Sequence, residues 1–431
     1  MPIEDQRLGA RAARPQGSTT LRHPGHSQPD NLRLMLGSSP EDVARQRPLP
    51  LFSAEAMGFL GALSKALLPS DGSRVPPELA ALGFWLRPAA LGRLQAQYCP
   101  DAMGQLLRPV GCVFHLPPAN VPTLFVYGWA LSLLAGNANI IRISSRQNPL
   151  TKSLLAQIGR LLAAPEHSAI RQRSSLLSYG HDEQITEQLS ALCARRLVWG
   201  GDATVRQIRR IPLPPLAQEI VFPDRHSCSL IQADALLRQD NLTPLIQALY
   251  RDIFAFQQQA CSSPRVLFWL GKDADIQAAR ARLWPEFDAF AEAQPHTTER
   301  SDAMEKLICL QQMALGGMVR RIEPGSRLTR LQVHPGTSAQ LLAYHCGHGI
   351  LLEEPICQLQ QLSDYPGPRM QTLSTWGCPA QTLHDWLQQD PMPPLDRLVP
   401  LGQALRFDAI WDGLDLLRQL TRTLYRECSP S

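Results

Sequence analysis

The chain has 431 residues, a formal net charge of +4 and 44% hydrophobic residues. This apolar content offsets the ordering entropy of two domains, so disorder over most of the chain is excluded. Lys and Arg form no block that would bind nucleic acid. No run of 18 uncharged apolar residues predicts a membrane span. The ten cysteines are irregularly spaced, which indicates reduced thiols in a cytoplasmic protein.

The first 48 residues differ in composition from the rest of the chain. They are rich in Arg, Pro, Gly, Ser and Gln, with little apolar periodicity, and predict a poorly ordered basic tail over 1–48. From Leu51 to about Leu94 the apolar residues recur at helical spacing, as in Leu60, Leu63 and Leu67. This helical segment leads into a first domain that we place at 49–226.

An alternation of strands and helices begins at Val110. The apolar run to Leu116 predicts a strand, 123–135 a core helix that ends at Gly136-Asn137, and 138–144 a second strand. The pattern continues through helices at 151–163 and 183–194 and strands at 174–178 and 196–199. We predict a doubly wound α/β domain, in which ligands bind beyond the carboxyl ends of the strands.

A second α/β region follows at 227–397. It contains a long predicted helix, Leu242–Gln259, and a strand, Arg265–Leu270. The last segment, 398–431, is expected to pack back on the core and to include an amphipathic helix, Leu414–Tyr425.

Cys261 and Asn120 are the first candidates for chemistry. Cys261 lies between the end of the predicted helix and the next strand, where a thiolate could act as a nucleophile, although most cysteines are small buried residues. Asn120 lies between prolines in a strand-to-helix turn, either as a turn former or as an N–H donor to an oxyanion. Spacing alone leaves both readings open for each residue.

Two further motifs are weaker. Gly200-Gly201-Asp202 follows a strand like a dinucleotide-cradling turn, but neither the full dinucleotide fingerprint nor a phosphate-binding P-loop is present. His345-Cys346-Gly347-His348 matches no standard zinc spacing, so we expect no metal there. His115, on an apolar strand, is expected to be a hydrogen-bonded core residue rather than a base.

Taken together, the motifs resemble one enzyme family. The segments 111–122, 132–145, Val198–Asp202, Gln258–Pro264, Met370-Gln371-Thr372 and Trp411-Asp412-Gly413 are similar, in this order, to the LuxC family of acyl-CoA reductases. That family is in turn similar to the aldehyde dehydrogenases. The resemblance implies two doubly wound α/β domains, one for the cofactor and one bearing the cysteine, with an oligomerisation element and an active site between the domains.

The resemblance also implies a mechanism and its partners. Cys261 would attack an acyl-CoA or carrier-bound acyl thioester, and the Asn120 amide with the Cys261 backbone N–H would stabilise the oxyanions. Hydride from NADPH would then release the aldehyde. An acyl-protein synthetase or a carrier protein is an implied partner, and a homo-oligomer is the expected assembly.

NADPH is preferred to NADH because a hydroxyl replaces the acid that binds the ribose in NAD-specific aldehyde dehydrogenases. The residues expected to bind the cofactor are Pro117, Pro118, Arg142, Ser144, Ser145, Arg146, Trp199, Gly200, Gly201 and Asp202.

Glu219 falls near the general base of aldehyde dehydrogenases. It is a candidate for proton handling, and equally a solvated acid at a strand end. Two alternative functions stay open: an aldehyde dehydrogenase that oxidises its substrate to the acid, and a catalytically silent subunit that binds an acyl-transfer partner.

Overall fold

The computed structural model describes residues 31–69, 75–99, 105–145, 147–295, 300–365 and 369–425. In its first half the elements are β1 Arg33–Gly37, α1 Pro40–Ala44, α2 Ala54–Leu67, α3 Pro77–Trp85, α4 Pro88–Tyr98, β2 Gln105–Pro109, β3 Cys112–Leu116, α5 Leu124–Leu134, β4 Ala138–Ile143, α6 Pro149–Ala163, α7 Ser168–Gln172, β5 Ser174–Ser178, α8 Glu183–Ala191, β6 Arg195–Trp199, α9 Asp202–Arg209 and β7 Gln218–Phe222.

The second half contains β8 His226–Gln232, α10 Ala233–Leu237, α11 Thr243–Phe254, β9 Pro264–Leu270, α12 Asp273–Glu292, α13 Arg300–Leu315, β10 Val319–Pro324, β11 Thr329–Val333, α14 Ser338–Leu341, β12 Ile350–Ile356, α15 Gln360–Ser363, β13 Met370–Trp376, α16 Ala380–Gln389, β14 Leu395–Pro400, β15 Ile410–Trp411, β16 Leu414–Asp415, α17 Leu416–Gln419 and β17 Thr421–Tyr425.

Two large sheets organise the molecule. The first has the order β1-β5-β4-β3-β6-β7 and the second β10-β11-β12-β9-β8-β13-β14; within each, only the edge strands β1 and β10 run antiparallel to their neighbours. Successive side chains of a strand pack into different hydrophobic clusters on the two faces of the sheet. Leu176 packs in one cluster and Leu177 in another. Burial on both faces explains why the central strands are continuously apolar. The predicted α/β class is confirmed.

The prediction of a poorly ordered tail over 1–48 is wrong for residues 31–48, which form β1 and α1. Residues 1–30 lie outside the described part of the chain. β1 pairs antiparallel with β5, and Met35 and Leu36 pack against the core. Ser39 caps α1 by accepting a hydrogen bond from the Asp42 backbone N–H. The composition of the whole tail concealed this short run of apolar residues, which is long enough to extend a sheet.

The chain after β14 returns to the first domain. Phe407, Trp411 and Leu420 join the core cluster that also contains α2 and α5. The predicted helix Leu414–Tyr425 is wrong: helix α17 ends at Gln419, and β17 pairs antiparallel with β2. Alternating β-branched and aromatic residues favour a strand when a partner strand is available. No helix in the described ranges is long and apolar enough to cross a bilayer.

Gly136 provides a test of the close backbone packing at the end of α5. It follows α5 with φ +83°, and a Cβ there would lie 2.1 Å from the Leu49 carbonyl oxygen. We expect Gly136→Ala to lower the free energy of unfolding by about 2–3 kcal/mol, because strain and a backbone clash add. Gly58→Ala is the control: this helical glycine is exposed with open space around it, and alanine there should stabilise by about 0.5–1 kcal/mol. Equal urea-unfolding curves for the two variants would contradict the clash.

Candidate active site

Cys261 is presented by a loop whose first part, up to Gln259, the sequence predicts as the end of a helix. α11 ends at Phe254, and Phe256, Gln257 and Gln258 have φ of 51°, 54° and 63°. Three consecutive non-glycine residues in the left-handed region are costly and persist only where other contacts hold them. We call residues 255–263 the cysteine loop.

Gln258 supplies those contacts from a fully buried position. Its Nε2 donates to the carbonyl oxygens of Pro264 and Ile350, each at 2.8 Å. Its Oε1 accepts from the backbone N–H groups of Gly349 and Ile350 at 3.0 and 3.1 Å. One amide thus joins the cysteine loop to the beginning of β12.

The His345–His348 motif is hydrogen-bonded to the same loop. The Gln259 Nε2 donates to the Cys346 carbonyl oxygen at 2.7 Å, and the His348 backbone N–H donates to the Gln257 carbonyl oxygen at 3.1 Å. A Cβ on Gly347 would lie 2.6 Å from the Gln259 Nε2, so glycine permits this close approach. Among the described residues, no three His, Cys, Asp or Glu side chains could hold a metal ion.

The Cys261 thiol is half-buried and hydrogen-bonded. Its Sγ accepts from the Gln371 Nε2 at 3.1 Å, and its carbonyl oxygen accepts from the Ser227 Oγ at 2.8 Å. Burial raises the pKa of Cys261 to about 12, and the nearby charge of Asp412 acts in the same direction. The Gln371 hydrogen bond and the Arg265 charge oppose this rise in pKa. The resting site therefore holds the neutral thiol, which must lose its proton to react.

Asn120 lies beside this loop, as the resemblance implies. Its Nδ2 donates to the Gln259 carbonyl oxygen at 3.2 Å across the gap between the two domains. Prolines at 117, 118 and 122 limit the backbone of the turn that carries it. A short, exposed turn is thereby aimed at the cysteine loop.

Two cavities meet at Cys261. The first, of about 700 Å³, is lined by Phe84, Trp85, Phe256, Phe407 and Trp411 among others, and we call it the aromatic cavity. The second, of about 680 Å³, lies at the carboxyl ends of β3, β4, β6 and β7, and we call it the strand-end cavity. Cys261 lines both cavities and Asn120 the second. A reagent in either cavity could therefore reach the same sulfur.

Most of the residues expected to bind the cofactor line the strand-end cavity: Pro117, Pro118, Arg142, Ser144, Ser145, Trp199, Gly200 and Gly201. Arg146 lies outside the described residues. Asp202 is not among the residues that line this cavity, and its carboxylate pairs with Arg369 at 2.7 Å and with Arg206 at 3.7 Å. The Arg369 hydrogen bond holds the pKa of Asp202 below its ordinary value. Asp202 is thus corrected from a cofactor ligand to an ion-pair partner.

The strand-end cavity suits an anion. Gly201 precedes α9 without a side-chain cap, and a Cβ on it would meet only open space. Free N–H groups at such a helix start bind phosphate. Arg142 donates to the Gly180 carbonyl oxygen at 3.0 Å, while its buried Nε has no hydrogen-bond partner. The chemistry of these donors fits a nucleotide diphosphate.

Glu219 is not brought to Cys261. Its Oε2 accepts from the buried Arg196 Nη2 at 2.7 Å and its Oε1 from the Arg209 Nε at 3.1 Å, on the body of β7. Both carboxylate oxygens are engaged, and Glu219 lines neither cavity. The candidate role in proton handling is corrected to a structural ion pair.

His115 is a hydrogen-bonded core residue, as expected. It is 2% exposed, and its Nε2 lies 2.9 Å from the Asn139 Oδ1. Burial lowers the pKa of His115 to about 4. It lines neither of the cavities that meet at Cys261.

This lowered pKa predicts a loss of stability in acid. Between about pH 6.5 and 4 the unfolded chain binds a proton at His115 that the folded chain does not, so the free energy of unfolding should fall by up to about 3 kcal/mol. His115→Gln keeps a hydrogen-bonding side chain that does not titrate. Urea unfolding at several pH values should give a difference between the two proteins that shrinks in acid; parallel curves would contradict the assignment.

Sequence reasoning missed three residues around the sulfur: Gln371, Asp412 and Arg265. Gln371 and Asp412 stood in the quoted motifs Met370-Gln371-Thr372 and Trp411-Asp412-Gly413, but no chemistry in the sequence connected them to Cys261. Gln371 lies on β13 and Asp412 between β15 and β16, so their proximity to Cys261 comes from the tertiary fold and not from neighbouring residues.

Comparison with known proteins gives the family and the fold of this chain. A family model described as acyl-CoA reductase (LuxC) matches residues 99–318, just over half of the chain. The long-chain acyl-protein thioester reductase 2 of Photobacterium leiognathi is 27% identical over 173 residues, which are 39% of this chain and 34% of that protein. The corresponding reductase of Photobacterium phosphoreum is 27% identical over 169 residues, 39% of this chain and 33% of that protein. The match spans about a third of these relatives' length.

Solved structures share the fold at low identity. Lactaldehyde dehydrogenase from Escherichia coli has a TM-score of 0.62 at 14% identity, covering 92% of this chain and 96% of that one. Glyceraldehyde-3-phosphate dehydrogenase from Methanocaldococcus jannaschii, complexed with NADP, has a TM-score of 0.62 at 12% identity, covering 89% and 90%. The chain belongs to the LuxC family of acyl-CoA reductases, on an aldehyde-dehydrogenase-like fold.

Proposed function

We propose that the protein reduces an acyl thioester, delivered on coenzyme A or on a carrier, to the aldehyde through an acyl-Cys261 intermediate with NADPH as reductant. One observation carries the proposal: a hydrogen-bonded thiol lies on the wall shared by two cavities of different character. The family relationship supports the reaction class.

In the acyl-transfer step, the Cys261 sulfur forms a bond to the thioester carbonyl carbon while the bond to the leaving sulfur breaks. The proton of the Cys261 thiol ends on the departing thiol, so the step is balanced without an added base. The carbonyl oxygen becomes an oxyanion, toward which the Asn120 amide and the Cys261 backbone N–H are the nearest candidates to donate. Burial raises the pKa of the Cys261 thiol, which lowers its reactivity in the free protein.

The aromatic cavity is the proposed acyl site. Phe84, Trp85 and Phe407 offer apolar surface to an acyl chain, which gains about 0.8 kcal/mol for each buried methylene. Arg93, Arg251 and Arg406 also line this cavity and could attract phosphate groups of coenzyme A or an acidic carrier protein.

The strand-end cavity is the proposed nicotinamide site. Gly200 and Gly201 at the start of α9 would hold the diphosphate, and Arg142 with Ser145 would face the adenosine ribose. When bound, the reduced nicotinamide supplies the hydride that the acyl group requires. No acidic residue stands at 144 or 145 to repel a 2′-phosphate, which favours NADPH over NADH.

Cofactor choice has a test that needs no turnover. We expect 2′,5′-ADP to bind more tightly than 5′-ADP in calorimetry, by about tenfold for one charge-assisted contact. Arg142→Met should abolish that preference. Equal binding of the two nucleotides by the unmodified protein would contradict the preference for NADPH.

The reaction itself is tested with a series of acyl-CoA substrates from two to sixteen carbons and with acyl-pantetheine on a carrier protein. NADPH oxidation and trapped aldehyde are measured together. Equal amounts of both products support the reductase. Oxidation of an aldehyde to the free acid, coupled to reduction of NADP and with no product from any thioester, would instead establish an oxidising dehydrogenase. Neither reaction, in a folded protein, would favour a catalytically silent subunit.

A homo-oligomer remains part of the proposal. The two-stranded sheet of β2 and β17 is not hydrogen-bonded to either large sheet, and Leu424 and Tyr425 on it are exposed. This sheet is the proposed oligomerisation element, which light scattering of the full chain and of a Leu424→Glu variant would test.

A further inference from the structure

A β-bulge brings Gln371 to the sulfur. β13 pairs with β8 in parallel, with Met370 opposite His226 and Leu373 opposite Cys228, so that Gln371 and Thr372 together face the single residue Ser227. Bulges are rare between parallel strands and re-aim the side chains they carry. The bulge lets a residue that is 1% exposed direct its amide toward the cysteine loop.

The contacts of the Gln371 amide are specific. Its Nε2 donates to the Cys261 Sγ at 3.1 Å and also to the Asp412 Oδ1. Its Oε1 lies 3.4 Å from the Ser227 Oγ, whose single hydrogen is directed to the closer Cys261 carbonyl oxygen at 2.8 Å. An amide nitrogen has two hydrogens, so one can bond the sulfur while the other bonds the carboxylate.

Asp412 is held by a tight turn. Asp412 and Gly413 connect β15 to β16 with φ of 50° and 71°, both in the left-handed region that a two-residue hairpin of type I′ requires. The half-buried Asp412 carboxylate faces Arg225, Arg397 and Asp396 as well as Gln371. The hairpin thus places one hydrogen-bond acceptor against the amide.

We propose that Gln371 is a catalytic residue that donates a hydrogen bond to the Cys261 sulfur, and that Asp412 is a positioning residue that keeps the amide nitrogen turned toward that sulfur. A thiolate accepts hydrogen bonds more strongly than a thiol, so the Gln371 bond favours the nucleophilic form. The inference rests on the proposed function only in taking Cys261 as the nucleophile.

Asp412 has two opposite effects on Cys261, which substitutions can separate. Its negative charge disfavours the thiolate, whereas its anchoring of the amide favours it; Arg265 is the other charged group that faces the sulfur. Asp412→Asn removes the charge and keeps an oxygen that can accept from Gln371. Asp412→Ala removes both the charge and the anchor. The two neutral variants differ in the anchor and also in backbone preference, because asparagine adopts the φ of 50° at this position more readily than alanine. Asp412→Gly lacks the anchor but adopts this φ freely, so it should alkylate like Asp412→Ala.

The experiment measures alkylation of Cys261 by iodoacetamide in the full chain, without substrate or cofactor, at several pH values. Peptide mass spectrometry identifies the modified cysteine. We expect Gln371→Met to slow alkylation at a fixed pH by about threefold to tenfold. A raised pKa of Cys261 leaves less thiolate, but each thiolate is then more nucleophilic, so the two effects partly cancel. Gln381→Met is the matched control, because the Gln381 Nε2 donates to the Asp385 Oδ1 at 2.7 Å on the exposed face of α16.

The Asp412 variants carry the second half of the test. We expect Asp412→Asn to alkylate faster than the unmodified protein and Asp412→Ala to be slower than Asp412→Asn. Equal rates for the two neutral variants would overturn the positioning role. A wild-type rate in Gln371→Met would overturn the catalytic role of Gln371.

Misfolding cannot imitate the result for Gln371, because a damaged site exposes the thiol and speeds its alkylation. If Gln371→Met does not fold, Gln371→Leu also lacks the N–H donor, adds no charge beside Asp412 and should again slow the reaction. Because alkylation needs no acyl substrate, an inactive reductase with these alkylation rates would refute the proposed function and leave the inference about Cys261 intact.

Discussion

Replacing Cys261 with alanine is expected to abolish acyl transfer and to lower kcat/KM for an acyl thioester by about 10⁴-fold or more, because no other described thiol lines the two cavities. The measurement is intact-protein mass spectrometry after mixing with acyl-CoA, with aldehyde formation followed alongside. The unmodified protein should gain the mass of one acyl group, and the variant should gain none.

Cys378→Ala is the control for this substitution. Cys378 is also half-buried but lines neither cavity. It should leave acylation unchanged. An acyl adduct that persists in Cys261→Ala at the wild-type rate would refute the covalent mechanism, whatever the activity of Cys378→Ala.

Asn120→Ala is expected to lower kcat for the reductase by about 10²- to 10³-fold, equivalent to about 2.7–4 kcal/mol of lost oxyanion stabilisation. Asn120 is exposed and its one amide contact is with the Gln259 carbonyl oxygen, so stability should change by less than about 0.5 kcal/mol. The KM should change little, because the bond to the oxyanion forms as the carbonyl is attacked.

Single-turnover acylation separates this effect from later steps. The rate of acyl-Cys261 formation should fall as steeply as kcat, since acyl transfer forms an oxyanion. Asn241→Ala is the control, because Asn241 caps an exposed turn by accepting from the Thr243 N–H at 2.9 Å. A wild-type acylation rate in Asn120→Ala would show that another donor serves the oxyanion.

Local sequence patterns predicted the parts of the site that lie close together along the chain. Prolines around Asn120 indicated a rigid turn at the end of β3, and the structure aims that turn at the cysteine loop. The glycines at 200 and 201 indicated a helix start that approaches a ligand, and they line the strand-end cavity. These signals work because backbone restrictions act within a few residues.

Other features of the site could not be predicted from the residues next to them in the sequence. The sequence predicted a helix through Gln259, but the buried Gln258 amide and the His345–His348 segment hold three residues in the left-handed region instead. Helical propensity could not reveal those contacts, because they come from β12 and the turn before it. The role expected for Glu219 failed for a similar reason, since Arg196 and Arg209 engage both of its oxygens.

The sequence by itself determined the α/β class, the order of strands and helices from β3 to β6, and the family, and it supplied Cys261 and Asn120 as candidates for the site. Apolar periodicity and turn chemistry are properties of neighbouring residues, so they can be read from the chain. Only the tertiary structure decided that Gln371 contacts Cys261 and Asp412 contacts Gln371, that Asp202 and Glu219 form ion pairs, and that residues 31–48 extend a sheet. Those outcomes depend on strand register, a bulge and ion pairs between distant residues, which no local pattern records.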